Sequence, residues 1–503
     1  MSEESFFVMN TPPASFPLEQ YRRLSGFEQI LLHFLAIFYE PANPTLIAAC
    51  LLKLDLRNNR GNRPTTANIQ HYIQKFMQSG LLSEERRCCP ELIETLVKIS
   101  VADGRFARYA KTIRAEAPLI GGLGKWLTRC WRAARDLRIG IYSADFDVIE
   151  ECEKFLASQC QEFSLDPPVL TQVVAAPFDQ VWLESQPLSY RFYLLGETVA
   201  EAQRHLRGIE PVVDYLAKFV SSPKLAADEL VPFRRLFFQQ LILQGDLNAA
   251  EKLSSGYPEA FTGTGASGIL AFLHGNFAVA RAAFDDDLAY LRALYDEEQV
   301  AIFGPGGVID ILSRLRSEDA SRLMEIAGQI GVAQTLFPAS AEAEAYEILA
   351  IFVQARLNPR SPAGGFSVTP ATGALAVLIA GLCHHWLGGG LPAALENAIA
   401  SRLDVAAENG YCLFALQYAA ILAAEKGKDS IYRRCEWRWR EETSAIALVT
   451  ILVREEPWKR GLEALIHLSA VDEPPEQRGE AARLAWVIDR QRGEFAVTPK
   501  EQR

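Results

Sequence analysis

The chain has 503 residues, of which 49% are hydrophobic and 22% are charged, an ordinary composition for a globular protein of about two to four domains. Its formal net charge of −11 is divided unevenly, with +6 on residues 1–140 and −17 on the remainder. No stretch contains the roughly 18 uncharged apolar residues of a membrane span, and the N-terminal sequence MSEESFFVMNTPP lacks the basic region of a secretory signal. We therefore expect neither a membrane span nor a secretory signal, and we expect any nucleic-acid contact to lie in the basic head, residues 1–140.

Residues 1–20 contain three prolines and are predicted to form a flexible leader. Three short helices follow. The segment FEQILLHFLAIFYE has apolar side chains at helical spacing, and Asn43-Pro44 begins the second helix, since proline favours the first helical position. The third helix, in TTANIQHYIQKFMQSG, ends at Gly80, and SEERRCC is predicted to form a short strand or wing.

This order of elements predicts a winged helix-turn-helix-like domain over residues 21–103. In that fold the third helix presents its exposed side chains to the major groove, and the wing contacts the phosphate backbone. A protein–protein module with solvated charges remains an alternative. The predicted nucleic-acid-binding residues are basic or polar: Arg57, Arg60, Arg63, Thr66, Asn68, Gln70, His71, Gln74, Lys75, Arg86 and Arg87.

Residues 104–145 are predicted to form a basic helical connector. Arginines recur there every three residues, next to Trp126 and Trp131, and could grip phosphates or stack on bases. The alternative that we favour is a solvated face, or one that meets an acidic partner. The residues of this possible secondary basic face are Arg129, Arg132, Arg135 and Arg138.

The body, residues 146–495, is predicted to be an α-solenoid of degenerate tetratricopeptide-like helix pairs, with a short tail at 496–503. Two segments share an order of residues: LQGDLNAAEKL at 243–253 and LHGNFAVARAAFDDDL at 273–288. In such repeats a glycine ends the first helix and an alanine lets the two helices approach closely. The segments LGGGLPAALENAI (387–399) and WKRGLEALIHL (458–468) are weaker candidates, and the acidic run at 285–287 hints at a docking surface.

Catalytic motifs are missing from the sequence. Both Gly-Lys pairs, at Gly124 and Gly427, lack the first glycine and the Ser or Thr of a P-loop. The DEEQ segment at 296–299 resembles a helicase DExx box but follows a predicted helix, and Cys383-His384-His385 has no second ligand pair nearby. We therefore predict no enzyme activity, no metal and no cofactor.

The nine cysteines are scattered without CxxC spacing. Such an unpatterned set is typical of buried thiols in a reducing compartment. We expect a cytoplasmic protein whose cysteines are reduced.

The sequence resembles the N-terminal accessory region of large bacterial Swi/Snf-type helicase-like ATPases. The resemblance rests on Phe-Glu-x-Ile-Leu-x-x-x-Leu-Ala at 27–36, on the winged-helix-like block, and on Gly-x-Phe-x-x-Ala-x-x-x-Phe leading into LAYLRAL. It also rests on RLAWVIDRQRGEFAVTPKEQR at 483–503, where Pro499, Glu501 and Gln502 match a motif that precedes the motor. The motor itself has no counterpart here, so the resemblance implies an accessory protein or fragment.

These observations predict a non-catalytic accessory protein that contacts duplex DNA through its head and a protein partner, such as a helicase-like ATPase, through its helical array. We expect no membrane contact. Two alternatives remain open: a pure protein-interaction scaffold, and a signal-sensing transcription regulator with a ligand pocket in the array.

Overall fold

The computed structural model describes residues 15–119, 126–223, 225–274, 276–315, 320–338, 340–358, 368–386 and 391–426. Across these ranges every regular element is a helix, and the β-type pairing is limited to one isolated bridge between Leu82 and Cys88. The predicted all-α class is confirmed. No helix in the described ranges is both long and apolar enough to cross a membrane.

The chain divides into two compact units, Met1–Thr198 and Val199–Arg503. The domain boundaries predicted near residues 103 and 145 both lie within the first unit and stay predictions. Helices of the first unit are α1 (Ser15–Arg22), α2 (Gly26–Phe38), α3 (Pro44–Lys53), α4 (Thr66–Gln78), α5 (Pro90–Ala102), α6 (Phe106–Glu116), α7 (Trp126–Ser143), α8 (Phe146–Gln159), α9 (Val169–Ala175), α10 (Gln180–Glu184) and the start of α11 (Leu188–His205).

Local capping explains where the first helices begin. The Glu28 carboxylate accepts a hydrogen bond of 2.9 Å from the Ser25 backbone N–H at the start of α2. Asn43 accepts from the backbone of the first turn of α3, and Thr65 and Asn68 form a reciprocal cap on α4. These contacts satisfy N–H groups that have no partner within a helix. The predicted starts of the second and third helices in the head are thereby confirmed.

A tight hairpin follows α4. The Ser83 N–H donates to the Arg87 carbonyl at 2.8 Å, and the Cys89 N–H donates to the Leu81 carbonyl at 3.0 Å. Arg86, at the tip, has a φ of 61°, a left-handed conformation that costs a non-glycine residue roughly 1 kcal/mol or more. The segment predicted as a strand or wing is therefore a short turn with one bridge.

Helix α7 lies in the middle of the first unit. Every residue from Ala133 to Tyr142 is buried, so this stretch has no solvent-facing side. A disulfide joins Cys130 of α7 to Cys160, just after the end of α8. The expectation that all cysteines are thiols is wrong for Cys130 and Cys160. These two cysteines are 30 residues apart in the sequence, so no spacing motif indicates that they meet in the fold.

The second unit contains the end of α11 and twelve further helices among the described residues. They are α12 (Glu210–Phe219), α13 (Val231–Gln244), α14 (Leu247–Gly256), α15 (Pro258–Phe261), α16 (Ala266–Leu273), α17 (Phe277–Tyr295), α18 (Pro305–Leu315), α19 (Ala320–Leu336), α20 (Ala343–Leu357), α21 (Ala374–Trp386), α22 (Ala393–Glu408) and α23 (Cys412–Lys426).

Both stronger repeat segments form pairs of packed helices. Gly245 ends α13 with a φ of 85°, and Asp246 caps α14 by accepting from the Ala249 N–H at 2.9 Å. On α14, Ala250 is buried where the helices meet. A glycine is favoured at this turn because residues with a Cβ rarely adopt a positive φ.

The second pair, α16 and α17, depends on one close approach. Ala280, Phe284 and Leu288 of α17 are buried, and a Cβ added at Gly268 of α16 would lie 2.5 Å from the Phe284 ring. The ring therefore occupies the space that a side chain at this position would need. Gly275, assigned to the turn by the sequence, lies outside the described residues.

Of the two weaker repeat candidates, the segment at 387–399 is not supported, and the segment at 458–468 stays a prediction. Ala394 of the segment at 387–399 is exposed, so it does not occupy a helix crossing, and residues 387–390 lie outside the described part of the chain. The segment at 458–468 and the C-terminal segment at 483–503 also lie outside it.

Candidate nucleic-acid interface

Helix α4 separates a buried apolar side from an exposed polar side. Ile69, Ile73 and Phe76 are buried, because their spacing of three to four residues places them on one face. The opposite side carries polar side chains that the sequence predicted to be exposed. Of these, Gln70 is half-buried, and the exposed ones are Thr66, Asn68, His71, Gln74 and Lys75.

Two of these polar side chains also have partners within the head. The Asn68 side-chain carbonyl accepts from the Thr65 hydroxyl at 2.9 Å. The Lys75 ammonium lies 2.5 Å from the Glu28 carboxylate. Burial by itself would raise the pKa of Glu28, but the Lys75 and Ser25 donors hold that pKa below its usual value. Lys75 therefore anchors α4 to α2, and half of its side chain remains exposed.

Three arginines lie together on the loop between α3 and α4. Arg57, Arg60 and Arg63 are all exposed, and two of them, Arg57 and Arg63, lie 3.4 Å from the exposed carboxylate of Asp55. Arg57 also donates to the Gly61 carbonyl at 3.2 Å. Exposed ion pairs of this kind contribute about 0–1 kcal/mol, so the guanidinium groups can exchange Asp55 for a phosphate at little cost.

The two arginines of the hairpin occupy different environments. Arg86 is exposed. The Arg87 guanidinium stacks 3.6 Å from the centre of the Trp131 ring, and its Nε donates to the Tyr39 carbonyl at 3.4 Å. Cation–π contacts and burial hold this side chain inward. The position of Arg87 therefore fits packing between the hairpin and α7, and does not fit the predicted phosphate contact.

The proposed secondary basic face on α7 does not exist as an exposed row. Arg135 is 0% exposed and bonds to Glu40 at 2.7 Å, to Asp136 at 2.8 Å and to the Ala117 carbonyl at 2.6 Å. Arg138 is 2% exposed and pairs with a carboxylate of α5 at 2.7 Å. For these two residues the sequence prediction is wrong, because each arginine is compensated by buried carboxylates.

The other two arginines of that row are half-buried. Arg132 lies 3.4 Å from the Glu40 carboxylate and donates to the Pro118 carbonyl at 3.2 Å. Arg129 is also half-buried. Trp126 is 40% exposed, with its ring N–H donating to the Gln159 carbonyl at 2.7 Å. None of the four arginines forms part of a continuous exposed face.

Helix α6 provides exposed basic side chains that are not among the predicted nucleic-acid-binding residues. Arg108 and Lys111 are exposed, and the Arg108 guanidinium donates to the Leu54 carbonyl at 2.6 Å, at the end of α3 where the arginine loop begins. Tyr109 and Ile113 on the opposite side are buried. This amphipathic pattern was visible in the sequence and could have identified α6 instead of α7 as the exposed basic helix.

Strongly perturbed titratable groups of the first unit serve as internal contacts. His33 accepts or donates a 2.7 Å hydrogen bond with Tyr21, and burial lowers its pKa to about 4. Burial also lowers the pKa of Lys98 to about 8, and its ammonium donates to the Pro177 carbonyl at 2.6 Å. These two groups lie in the core, away from the exposed polar side of α4.

The second unit contains a small cavity lined in part by Arg204, Glu342 and Phe414. Its volume of about 20 Å³ corresponds to roughly one water molecule. Within the described residues, no group of three or more His, Cys, Asp or Glu side chains has the arrangement of a metal site. Cys383 is buried in α21.

No family model, no curated protein and no solved structure matches this chain.

Proposed function

We propose that the chain is a non-catalytic accessory protein that binds duplex DNA through the first unit and a protein partner through the second. The proposed DNA binding rests on one observation: the exposed polar side of α4 follows directly on the loop that carries Arg57, Arg60 and Arg63. In this proposal α2, α3, α4 and the hairpin act as a winged helix-like head, with α4 in the major groove. Arg86 and the loop arginines contact phosphates.

Electrostatics supports this assignment. The described head exposes guanidinium groups at Arg57, Arg60, Arg63 and Arg86, while the nearby carboxylate of Glu28 is neutralised by Lys75. Each exposed cation that meets a phosphate releases counterions from the duplex, which makes binding strongly dependent on salt. Arg108 and Lys111 of α6 extend the same positive surface.

The proposed binding of a protein partner rests on the helix pairs of the second unit. Pairs that bury a face only against neighbouring pairs form extended surfaces that bind other proteins. The degenerate tetratricopeptide-like character is part of the proposal, supported by the buried alanines at positions 250 and 280. The resemblance at residues 27–36 suggests a helicase-like ATPase as the partner, which co-expression with such an ATPase encoded by a neighbouring gene would test.

Binding of a fluorescently labelled duplex at several salt concentrations tests the DNA half. Each lost phosphate contact reduces the magnitude of the negative slope of log K against log salt by about 0.9, so replacing Arg57, Arg60 and Arg63 by Gln should reduce this magnitude by about 2.7. At ~0.15 M salt this corresponds to roughly a hundredfold weaker binding. Failure of the unmodified chain to bind duplex at low salt would contradict the proposal.

A matched control removes three exposed cations elsewhere. Lys154, Lys218 and Lys252 are exposed on α8, α12 and α14. Their replacement by Gln changes the net charge by the same amount but leaves the head intact. The control variant should keep the salt slope of the unmodified chain, and an equal loss in both variants would mean that overall charge, not the head, determines binding.

A pure protein-interaction scaffold is the second candidate. It is favoured by exposed apolar side chains on α17, including Tyr295 at 63%, since clustered apolar exposure is typical of interaction surfaces. A stoichiometric complex that forms after nuclease treatment, together with no binding to duplex, would favour the scaffold over the DNA-binding accessory protein.

A further inference from the structure

The last two turns of α17 have an exposed surface in the part of the chain that the structure describes. The first part of the helix packs through Ala280, Phe284 and Leu288, whereas residues 289–299 are exposed except for the half-buried Leu291. Three large apolar side chains lie in this exposed part, with exposures of 43%, 55% and 63%: Tyr290, Leu294 and Tyr295. We call these three residues, with the acidic side chains that flank them, the α17 tip.

Exposed carboxylates flank the apolar side chains on both sides. Asp286 precedes them by one helical turn, and Asp296, Glu297 and Glu298 follow directly, all four exposed. Arg292 is the one basic residue between positions 286 and 298, and its guanidinium donates to the Glu298 carbonyl at 3.4 Å. The α17 tip therefore combines an apolar centre with a negative rim.

The neighbouring acidic residues have internal roles instead. Asp285 lies 2.6 Å from the Arg314 guanidinium, and the Asp287 carboxylate accepts from the Gly263 and Gly265 backbone N–H groups at 2.7 and 2.8 Å. The acidic run that hinted at docking in the sequence is thus divided. Of its three members, Asp285 and Asp287 stabilise the fold, and Asp286 contributes to the surface.

The fold holds this surface in place before any partner arrives. Gly263 has a φ of 74°, and a Cβ there would lie 2.9 Å from the Tyr290 ring, so the ring packs directly on the loop that Asp287 holds. A side chain that is already positioned loses less conformational entropy on binding. Tyr290 therefore lies against this loop with part of its ring exposed, as an aromatic side chain of the type that dominates binding energy at interfaces.

We propose that the α17 tip binds a basic amphipathic helix of a partner protein. Its apolar side chains pack on Tyr290 and Leu294, and its Lys or Arg side chains contact the carboxylates of the rim. This inference rests on the proposed binding of a protein partner by the second unit, and it identifies the chemistry of that partner. A second copy of this chain would bring the same carboxylates face to face, and DNA or an anionic membrane would be repelled.

The probe is a labelled 18-residue peptide of Leu and Lys with one apolar helical face, added to the full chain and followed by fluorescence anisotropy. An isomer of the same composition, scrambled so that it has no apolar face, separates helix docking from charge attraction. We expect saturable binding of the amphipathic peptide and at least about tenfold weaker binding of the isomer, since burial of an apolar anchor is worth at least this factor. Equal binding of both peptides would overturn the proposal.

Two variants, each with a matched control, locate the site. Leu294→Asp should weaken binding at least about tenfold, whereas Val181→Asp, at another apolar position with 80% exposure, should leave it unchanged. Replacing Asp296, Glu297 and Glu298 by their amides should weaken binding and flatten its salt dependence. The matched control is Glu151→Gln with Glu162→Gln and Glu259→Gln, at exposed positions elsewhere.

Equal affinity of Leu294→Asp and the unmodified chain would refute the proposed site. A dimer in sedimentation that Leu294→Asp converts to a monomer would assign the surface to a second copy and likewise overturn it. Duplex binding is measured separately on the same samples. If the unmodified chain binds duplex DNA but not the peptide, only this inference is refuted. If the unmodified chain binds the peptide but not duplex DNA, only the proposed DNA binding is refuted.

Discussion

Replacement of Arg135 by Met provides a direct test of the internal position of α7. The side chain is 0% exposed, and its guanidinium contacts the Glu40 carboxylate, the Asp136 carboxylate and the Ala117 carbonyl. Met fills a similar volume but carries no charge. The variant therefore leaves Glu40 and Asp136 buried with less compensation, while the packing around α7 changes little.

The expected cost follows from the burial of the carboxylates. Glu40 and Asp136 are 6% and 3% exposed, and removal of one partner from a buried ion pair costs about 3–5 kcal/mol. Arg132, at 3.4 Å from Glu40, compensates part of the charge, which favours the lower end of that range. The exposed control Lys154→Met removes a surface ion pair and should cost less than about 1 kcal/mol.

The cost should depend on pH with a defined sign. Burial raises the pKa of Glu40, and the nearby Arg135 and Arg132 guanidinium groups oppose this rise. Without Arg135 the pKa rises further, so the folded variant binds a proton more tightly than its unfolded chain does. The destabilisation is then largest at a pH above this raised pKa, and it diminishes as the pH falls through it.

Urea denaturation at several pH values measures the free energy of unfolding, and hydrogen exchange of α7 peptides assigns the change to the first unit. Adding Glu40→Gln to the Arg135→Met variant should restore much of the lost free energy of unfolding, because the unpaired Glu40 charge is then absent. A cost below about 1 kcal/mol with no pH dependence would refute the buried ion pair.

Three further predictions concern other parts of the chain. Replacing Arg108 and Lys111 by Gln should lower the affinity for duplex DNA by roughly twentyfold at ~0.15 M salt, and an unchanged anisotropy titration would exclude α6 from the interface. Phe284→Ala should lower the free energy of unfolding by about 3–5 kcal/mol, measured by urea denaturation; a loss below about 1 kcal/mol would mean that the ring does not fill the space above the glycine of α16. Burial raises the pKa of Asp310 from 3.8 to about 6, so its contribution to stability is present below about pH 4 and is lost as the pH rises through 6. Asp310→Asn should flatten the stability profile between these values, and an unaltered profile would contradict the raised pKa.

The parts of the fold that the sequence predicted are those governed by neighbouring residues. Asn43 caps α3 by accepting from backbone N–H groups two and three residues ahead, and Gly245 ends α13 because the chain needs a positive φ there. The polar side of α4 follows from the spacing of Ile69, Ile73 and Phe76. Such signals are contained in short windows of sequence, and the structure agrees with them.

The failures came from contacts between distant residues. Arg135 pairs with Glu40 across 95 residues, and Arg138 of α7 pairs with Glu94 of α5. A row repeated every three residues rotates around a helix of 3.6 residues per turn, so it could not form one narrow face. The charge of Arg135 and Arg138 therefore suggested that they are exposed, whereas in the tertiary structure buried carboxylates pair with them.

The ion pairs of α7 also constrain how the first unit folds. Glu40 and Glu94 both lie within residues 21–103, but both are buried and both are paired with α7. α7 cannot enter the interior before these carboxylates are in place, and the head cannot bury the carboxylates without α7. Because neither step is favourable alone, the two should fold as a single cooperative unit. We therefore expect that excision of residues 21–103 would leave two carboxylates without their cations.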